Sequence, residues 1–424
     1  MEKAVKRNLI FFLLGKVTAV LGSSIYAFAI GLYILSETGS SLNFAITLIL
    51  SILPRILLAP IAGTISDRFD RKKIIISSNF CSTVWLVAAL LVFTFLSNEI
   101  WILYAATAGL GILNTFYSIA VTSSIYNMVG PDHLQKAMSL NQAAISLSAI
   151  LGPVLGGVFF GIFPITTFMG LNILTFLLAA IVSILIDYNL FSDKKKPEKQ
   201  TSMVEDMKQG IVYLKQQPFL FYLILISIWL NFWFAVFPVA LPYLVLTIRK
   251  MSSIQLGIIE GSFSAGMMIL ALYLSARKEI KRKEQSIMLG ILLLSIVLIS
   301  LGLPDFQSFA SISNDFLFGY FIILVLLLSA GIMFINMPVM VLLQKNTPDE
   351  YRGRVMSLLE TGSSVMTPVG FILFGYLLEK VPVWSLLGLC GLCLLLIVPY
   401  LYRGNVFLDL LRKEAQQETV AVKM

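Results

Sequence analysis

Four charged side chains stand inside long apolar stretches, and they are the residues best placed to do chemistry. They are Lys16, Arg55, Glu260 and Glu360. An ionised group near the middle of a membrane-spanning helix costs roughly 2.5–3.5 kcal/mol on insertion scales, so such a group indicates a function or a partner. A carboxylate in this setting can exchange protons or bind a cation. A lysine or arginine in this setting can form an ion pair with a carboxylate.

A second group of charges lies in GTISDRFDRKKI, residues 63–74, between two apolar stretches. It contains Asp67, Arg68, Arg71 and Lys72, although only 13% of the chain is charged. Basic residues next to a span favour the cytoplasmic side of a membrane. The cluster is therefore predicted to lie at an inner membrane edge.

The composition indicates a membrane protein. The 424 residues are 58% hydrophobic and have a mean hydropathy of +0.89, whereas soluble domains are about 45–50% apolar. A bilayer-crossing helix needs about 20 apolar residues. Twelve such stretches are predicted: 8–35, 41–63, 74–96, 101–126, 139–162, 166–187, 219–246, 253–276, 285–303, 316–343, 355–378 and 382–402.

The positions of Lys and Arg predict the orientation of the chain. If both termini are cytoplasmic, the outer loops hold only Arg249, Lys250 and Lys380 of the 31 basic residues. This separation is the positive-inside pattern. It predicts a multi-pass membrane protein in contact with membrane lipids, with both termini cytoplasmic, and it explains the net charge of +8 without a nucleic-acid partner.

The longest inner segment divides the spans into six and six. Within it, MVEDMKQGIVYLKQQP places its apolar residues on one helical face, which predicts a linker helix lying along the membrane surface. A charged, solvated linker is the simpler alternative. The predicted divisions are an N-terminal six-helix bundle, a cytoplasmic linker, a C-terminal six-helix bundle and a cytoplasmic tail, at 1–187, 188–218, 219–402 and 403–424.

An internal repeat relates the two halves. PDHLQKAMSL at 131–140 is similar to PDEYRGRVMSL at 348–358, with one inserted residue, and each opens an apolar span. Two six-span repeats in parallel topology are typical of one large transporter fold.

Together these features resemble the major facilitator superfamily. The loop between spans two and three is similar to that family's G-x-x-x-D-R-x-x-R-K signature, supplied here by Gly63, Asp67, Arg68, Arg71 and Lys72. GPVLGG in span five resembles the signature of drug-exporting antiporters, supplied by Gly152, Pro153, Gly156 and Gly157. LPRILLAPIAGTISDRFDRKK and PDEYRGRVMSL look most like the bacterial twelve-span exporters that include macrolide efflux proteins.

The resemblance implies an all-α membrane protein of twelve transmembrane helices in two six-helix pseudo-repeats, located in a bacterial cytoplasmic membrane. It also implies that Asp67 meets the start of span eleven when the inner gate is shut, so Asp67, Arg68 and Arg71 are expected to form a gate. Lys72 is expected to anchor the topology, and the alternative is that the whole cluster is only an anchor. Span four lacks the arginine that such exporters often use, so their usual proton relay is not expected.

In the implied fold, spans two and eleven pack together, which places Arg55 opposite Glu360. We expect this pair to break during transport, or Glu360 to accept a proton or a cationic substrate; a permanent structural pair is the alternative. Glu260 is expected to be a proton or substrate site, or else an outer gate residue in contact with span five. Lys16 either belongs to the site or extends to the membrane surface.

Polar and aromatic residues of the spans are candidates to line a substrate cavity. Asn231 in WLNFWFAVFPVALPY is the strongest, with one phenylalanine of the same segment. Further candidates are Tyr26, Asn114, Tyr117 and Asn336. The glycines of span five could simply let helices approach closely, and Pro153 adds a bend.

The predicted function is secondary transport: export of an amphipathic, macrolide-like drug or metabolite, by exchange with protons. The partners are then a small molecule and protons, and the protein acts as a monomer. No enzyme is expected, because the chain has no phosphate-binding loop and its one histidine, His133, lies in a loop; no cofactor or metal is expected either. The alternatives are transport of a lysolipid, another lipid or a siderophore, and a non-transporting membrane sensor or scaffold.

Overall fold

The computed structural model describes residues 2–191, 217–275, 282–309, 311–347, 355, 359 and 361–399. All regular secondary structure in these residues is helical. The first six long helices are α1 (Glu2–Thr38), α2 (Ser41–Arg68), α3 (Arg71–Phe95), α4 (Ile100–Val129), α5 (Leu134–Phe160) and α6 (Ile165–Leu185). The next six are α7 (Tyr222–Ile248), α8 (Ser253–Ser275), α9 (Lys283–Gly302), α10 (Asn314–Asn346), α11 (Thr361–Leu378) and α12 (Val383–Pro399).

The lengths of these helices confirm the predicted membrane spans. In the described part of the chain, eleven helices are long and apolar enough to cross a membrane, and α12 is a shorter apolar helix. Large apolar side chains such as Leu57 and Ile61 are exposed by 61% and 51%. A helix makes all its backbone hydrogen bonds internally, so it can expose apolar side chains to lipid without leaving unpaired polar groups. The protein is therefore a multi-pass membrane protein.

Short turns with defined caps separate the helices. Gly39 connects α1 to α2 with a φ of +60°, a conformation that glycine adopts without strain. Ser40 then caps α2 by accepting a hydrogen bond from the Asn43 amide at 3.1 Å. Ser313 caps α10 in the same way. Such turns join neighbouring helices without long loops.

The chain forms two compact units. The first contains the described residues of 1–200 together with Ser252–Gly261, and the second contains those of 201–251 and 262–424. In the first unit, α1 packs against α5 and α6, while α3 packs against α4 and α6. In the second, α7 contacts α11 and α12, while α9 packs against α10 and α12.

The same helix pairs recur after an offset of six helices. The pairs α1–α5, α1–α6, α3–α4 and α3–α6 correspond to α7–α11, α7–α12, α9–α10 and α9–α12. This confirms the two six-helix repeats predicted from the two PD-containing segments.

Several element boundaries differ from the prediction. Helix α1 begins at Glu2, not near residue 8, and the charged cluster is not a loop, because only Phe69 and Asp70 separate α2 from α3. Most of the predicted linker, 192–216, and the whole predicted tail, 403–424, lie outside the described residues. The linker helix and the domain divisions stay predictions.

Candidate functional site

The charged cluster occupies the facing ends of α2 and α3. Asp70 caps α3, its carboxylate accepting a hydrogen bond from the Lys72 amide at 2.8 Å. Asp67 lies on the last turn of α2 and pairs with Arg71 at 3.3 Å. The charges therefore hold two helix ends in a fixed relation. The predicted contact of Asp67 with the start of span eleven stays a prediction, because most of 348–360 lies outside the described residues.

Arg71 is the centre of this arrangement. Its guanidinium donates to the Ser66 carbonyl at 3.2 Å, to the Ser123 carbonyl at 2.6 Å and to Asp67 at 3.3 Å. It thus ties the end of α2 and the start of α3 to α4. A planar guanidinium suits several acceptors at once, which a lysine does not.

Lys72 has a structural contact that the sequence did not reveal. Its Nζ donates to the Ile184 and Ile186 carbonyls at 2.8 and 2.9 Å, at the C-terminal end of α6. A cation is favourable there, because the last carbonyls of a helix have no intrahelical donors. Arg68 is exposed, and a Cβ at Gly63 would have no described neighbour within 4 Å.

The GPVLGG segment of α5 packs against α1 on one side. A Cβ on Gly152 would lie 2.5 Å from the Cβ of Ser24, and one on Gly156 would lie 2.8 Å from Phe28 Cδ1. Both separations are too short for real carbon atoms. These two glycines therefore permit the close approach of α5 to α1.

On its other side, the same segment packs against the start of α8. A Cβ on Gly157 would meet the Ser253 carbonyl, and one on Gly257 would meet the Pro153 carbonyl. Ser253 Oγ also donates to the Gly157 carbonyl at 3.0 Å. Backbones come this close in membrane helices only through small residues. The sequence predicted a contact of Glu260 with span five as one alternative. Gly257 and Gly261 were not singled out, although their G-x-x-x-G spacing allows the close approach.

Glu260 lies between those two glycines and is half-buried. A Cβ on Gly261 would lie 2.6 Å from Val154 Cγ2 and 3.1 Å from the Ile150 carbonyl, so the turn carrying Glu260 packs against α5. Among the described residues, none forms a hydrogen bond or ion pair with its carboxylate. The structure thus places a carboxylate at the close crossing of α5 and α8.

Lys16 is buried in the first unit, with only 5% of its surface exposed. Its Nζ lies 5.5 Å from the ring centroid of Tyr117, a cation–π distance. Lys16 is thus enclosed by protein, and its two predicted roles stay predictions. Arg55 lies close enough for its charge to act on Lys16. The predicted partner of Arg55, Glu360, lies outside the described residues, so their pairing stays a prediction.

The second unit contains a cavity of about 490 Å³. Two predicted candidates, Asn231 and Asn336, line it together with Phe234 of the same segment. The Nδ2 of Asn231 donates to the Ser227 carbonyl at 2.8 Å, which leaves its amide oxygen as an acceptor. The rest of the lining is mainly apolar: Leu230, Leu294, Ile332, Ile335, Val339, Met340 and Leu359, with Ser227 and Ser363. Such a cavity favours a largely apolar ligand with a few polar groups.

The break in α7 explains how this segment can line a cavity. Proline has no amide hydrogen, so Pro238 leaves the Phe234 carbonyl without its usual helical donor. The first helical run ends at Phe234 and a second begins at Val236, and residues Tyr243–Ile248 form a wider π turn. Phe234 and Phe237 stack across the break with ring centroids 5.4 Å apart.

Comparison with known proteins identifies the family. A model of the Major Facilitator Superfamily matches residues 12–370 and 239–421, which together cover most of the chain. The chain belongs to this superfamily. Members are transporters rather than enzymes, so this protein is a major facilitator transporter and not an enzyme.

Individual relatives of this major facilitator transporter are distant. An uncharacterized MFS-type transporter, YfiS of Bacillus subtilis, is 26% identical over 408 residues, covering 94% of each chain. Macrolide efflux protein A of Streptococcus pyogenes is 23% identical over 404 residues, covering 94% of this chain and 97% of that protein. A bacterial homologue of the iron transporter ferroportin has the same fold, with a TM-score of 0.65 at 18% identity, covering 92% and 98%.

Proposed function

We propose that this transporter exports an amphipathic organic compound, such as a macrolide, across a bacterial cytoplasmic membrane in exchange for protons. The carrying observation is the 490 Å³ cavity, whose apolar lining is interrupted by the amides of Asn231 and Asn336. The full-length similarity to macrolide efflux protein A supports the same class of substrate. Alternating access is the mechanism that such a fold implies.

Glu260 is proposed as the proton-exchanging group. It is a half-buried carboxylate on α8, and it has no hydrogen-bonding or ionic partner in the described part of the chain. Its position at the crossing of α5 and α8 would link its protonation to the separation of these helices. A carboxylate in such a setting is a functional candidate by default.

Lys16 and Arg55 are proposed to form a basic site together with Glu360. Two neighbouring cations within a membrane are costly unless a carboxylate or an anionic group balances them. The charge-swapped variant Arg55→Glu with Glu360→Arg tests the pairing. Recovery of the transport that either single change abolishes would support it, and a swapped variant as inactive as the single changes would contradict it.

The proposed export is tested in a bacterial host that lacks its own drug pumps. Inverted membrane vesicles carrying the wild type should accumulate radiolabelled erythromycin when a proton gradient is imposed. Glu260→Gln should reduce this accumulation at least tenfold, because a neutral amide cannot release a proton. Glu99→Gln is the matched control, since Glu99 is an exposed carboxylate at the start of α4, and it should leave transport unchanged.

Two results would contradict the proposal. Accumulation that is independent of the gradient would exclude proton exchange, and wild-type accumulation by Glu260→Gln would exclude the proposed role of this carboxylate. A transporter that moves fluorescent lysolipid but no macrolide would replace the drug with a lipid as its substrate.

A further inference from the structure

The first unit contains a small pocket that none of the proposed steps uses. It has a volume of about 100 Å³ and lies between α1, α2, α4 and α6. Tyr26, Thr107 and Asn172 are among the buried residues that line it, with exposures of only 3%, 7% and 1%. We call it the polar pocket.

Each of these three buried side chains has an unused hydrogen-bonding atom. Tyr26 Oη, Thr107 Oγ1 and Asn172 Nδ2 have no hydrogen-bond partner among the described residues. The Thr175 hydroxyl has one hydrogen, and its oxygen lies 2.9 Å from the Asn172 backbone carbonyl and 3.1 Å from Asn172 Oδ1. Neither contact uses Asn172 Nδ2, which remains as a donor. Buried polar atoms are nearly always paired, and three unpaired ones around one space indicate a ligand there.

The mouth of the polar pocket is open and also polar. Ala27, Ser51 and Asn114 line it and are exposed. The hydroxyls of Thr47 and Ser51 donate to carbonyls of their own helix at 3.2 and 3.0 Å, which leaves their oxygens as acceptors. An enclosed void would admit only water, whereas this opening admits a substituent of a larger molecule.

The lining also restricts the charge of the occupant. No charged side chain of the described residues lines the polar pocket. An ionised group would lose its hydration there without a counter-charge, which is strongly unfavourable. The unused groups suit a neutral oxygen atom, which accepts hydrogen bonds from one or two of them and, in a hydroxyl, also donates to a Tyr26 or Thr107 oxygen.

We propose that the polar pocket binds one compact, uncharged, oxygen-bearing substituent of the transported compound, a hydroxyl or a carbonyl. This rests on the proposed function and specifies the chemistry of its substrate. The volume equals that of about three water molecules at roughly 30 Å³ each. The pocket therefore takes a group of a few non-hydrogen atoms, while apolar parts of the compound bind elsewhere.

Binding to the purified transporter in detergent tests this proposal. Radiolabelled erythromycin, which carries hydroxyl and carbonyl groups, is the probe, and ethidium, which has neither group, is the comparison. Tyr26→Phe and Thr107→Val each remove one hydroxyl at nearly constant volume. Each should weaken erythromycin binding by about tenfold, the loss expected for one hydrogen bond, and leave ethidium binding unchanged.

Matched controls and a stability measurement separate recognition from structure. Tyr33 lies on the same helix as Tyr26, away from the polar pocket, and Thr83 is a buried threonine on α3. The controls are Tyr33→Phe and Thr83→Val. Both should bind erythromycin like the wild type. The pocket variants should keep or raise the melting temperature, because they remove buried polar atoms that have no protein partner.

Each contrary result has one meaning. Wild-type erythromycin affinity in both pocket variants overturns the pocket proposal, and so does a parallel loss of ethidium binding or of melting temperature. A wild type that does not bind erythromycin overturns it as well. Binding that is intact and sensitive to the pocket variants, without export from vesicles, overturns the proposed function and leaves the pocket standing.

Discussion

At the scale of single residues, Arg71 has the most specific geometry in the charged cluster. Its guanidinium donates to three acceptors on two helices: Ser66 and Asp67 of α2, and Ser123 of α4. We predict that Arg71→Lys lowers the stability of the protein by about 1–3 kcal/mol, because an ammonium group cannot replace all three hydrogen bonds. Thermal unfolding of the purified protein in detergent measures this.

Arg68→Lys is the matched control for that prediction. Arg68 precedes the same turn but is exposed, so its replacement should leave the melting temperature within error of the wild type. Equal melting temperatures for the two variants would show that Arg71 does not tie α2, α3 and α4 together.

The sequence identified the charged residues but could not separate their roles. Arg68, Arg71 and Lys72 have the same charge within five positions of one another, and only the fold shows that Arg71 binds α4 while Lys72 binds the end of α6. Asn231 was predicted to line a cavity because a polar residue in an apolar span is unusual. Thr107 and Asn172 fit the same criterion, but which polar residues of different spans share one pocket depends on packing.

At the scale of helices, the crossing of α5 and α8 depends on Gly157 and Gly257. We predict that Gly157→Ala destabilises the protein by about 1–3 kcal/mol, because its methyl group would overlap the Ser253 carbonyl and force the helices apart. The melting temperature in detergent and erythromycin accumulation in vesicles should both fall.

Gly170→Ala on α6 controls for the general effect of alanine. A Cβ there has no described neighbour within 4 Å, so the change should be neutral or slightly stabilising, since alanine is the better helix former. If Gly157→Ala were as stable and active as Gly170→Ala, the close crossing would not be needed.

Helix identity was more predictable than helix ends. Twenty-residue apolar stretches predict spans because the bilayer sets their length. In the described part of the chain, eleven of the twelve are helices long enough to cross a membrane, and the twelfth is a shorter apolar helix. The ends were wrong where charged residues continue a helix: hydropathy stops α2 at residue 63, while the helix extends to Arg68. Hydropathy predicted one continuous span at 219–246, whereas the helical run of α7 ends at Phe234 and resumes at Val236.

At the scale of the whole molecule, the two six-helix repeats could be predicted from two short similar segments, because each was predicted to open the fifth span of its half. The sequence also shows that most basic residues lie on the predicted cytoplasmic side. Arg249 is an exception to this pattern, and its contacts give a structural reason. Arg249, on a predicted outer loop, donates to the Ile312 carbonyl at 2.7 Å, and its own carbonyl accepts from Asn314. Such a residue holds two chain segments together and says little about orientation.

The remaining basic residues predict that both termini are cytoplasmic. In a chain whose three cysteines, Cys81, Cys390 and Cys393, are replaced by serine or alanine, Glu99→Cys should react with a membrane-impermeant maleimide in intact cells. His133→Cys should react only after permeabilisation, because the α4–α5 turn is predicted to be cytoplasmic. The opposite labelling would reverse the orientation. Labelling of both positions in intact cells would mean that α4 does not cross the membrane, which would contradict the twelve-span topology.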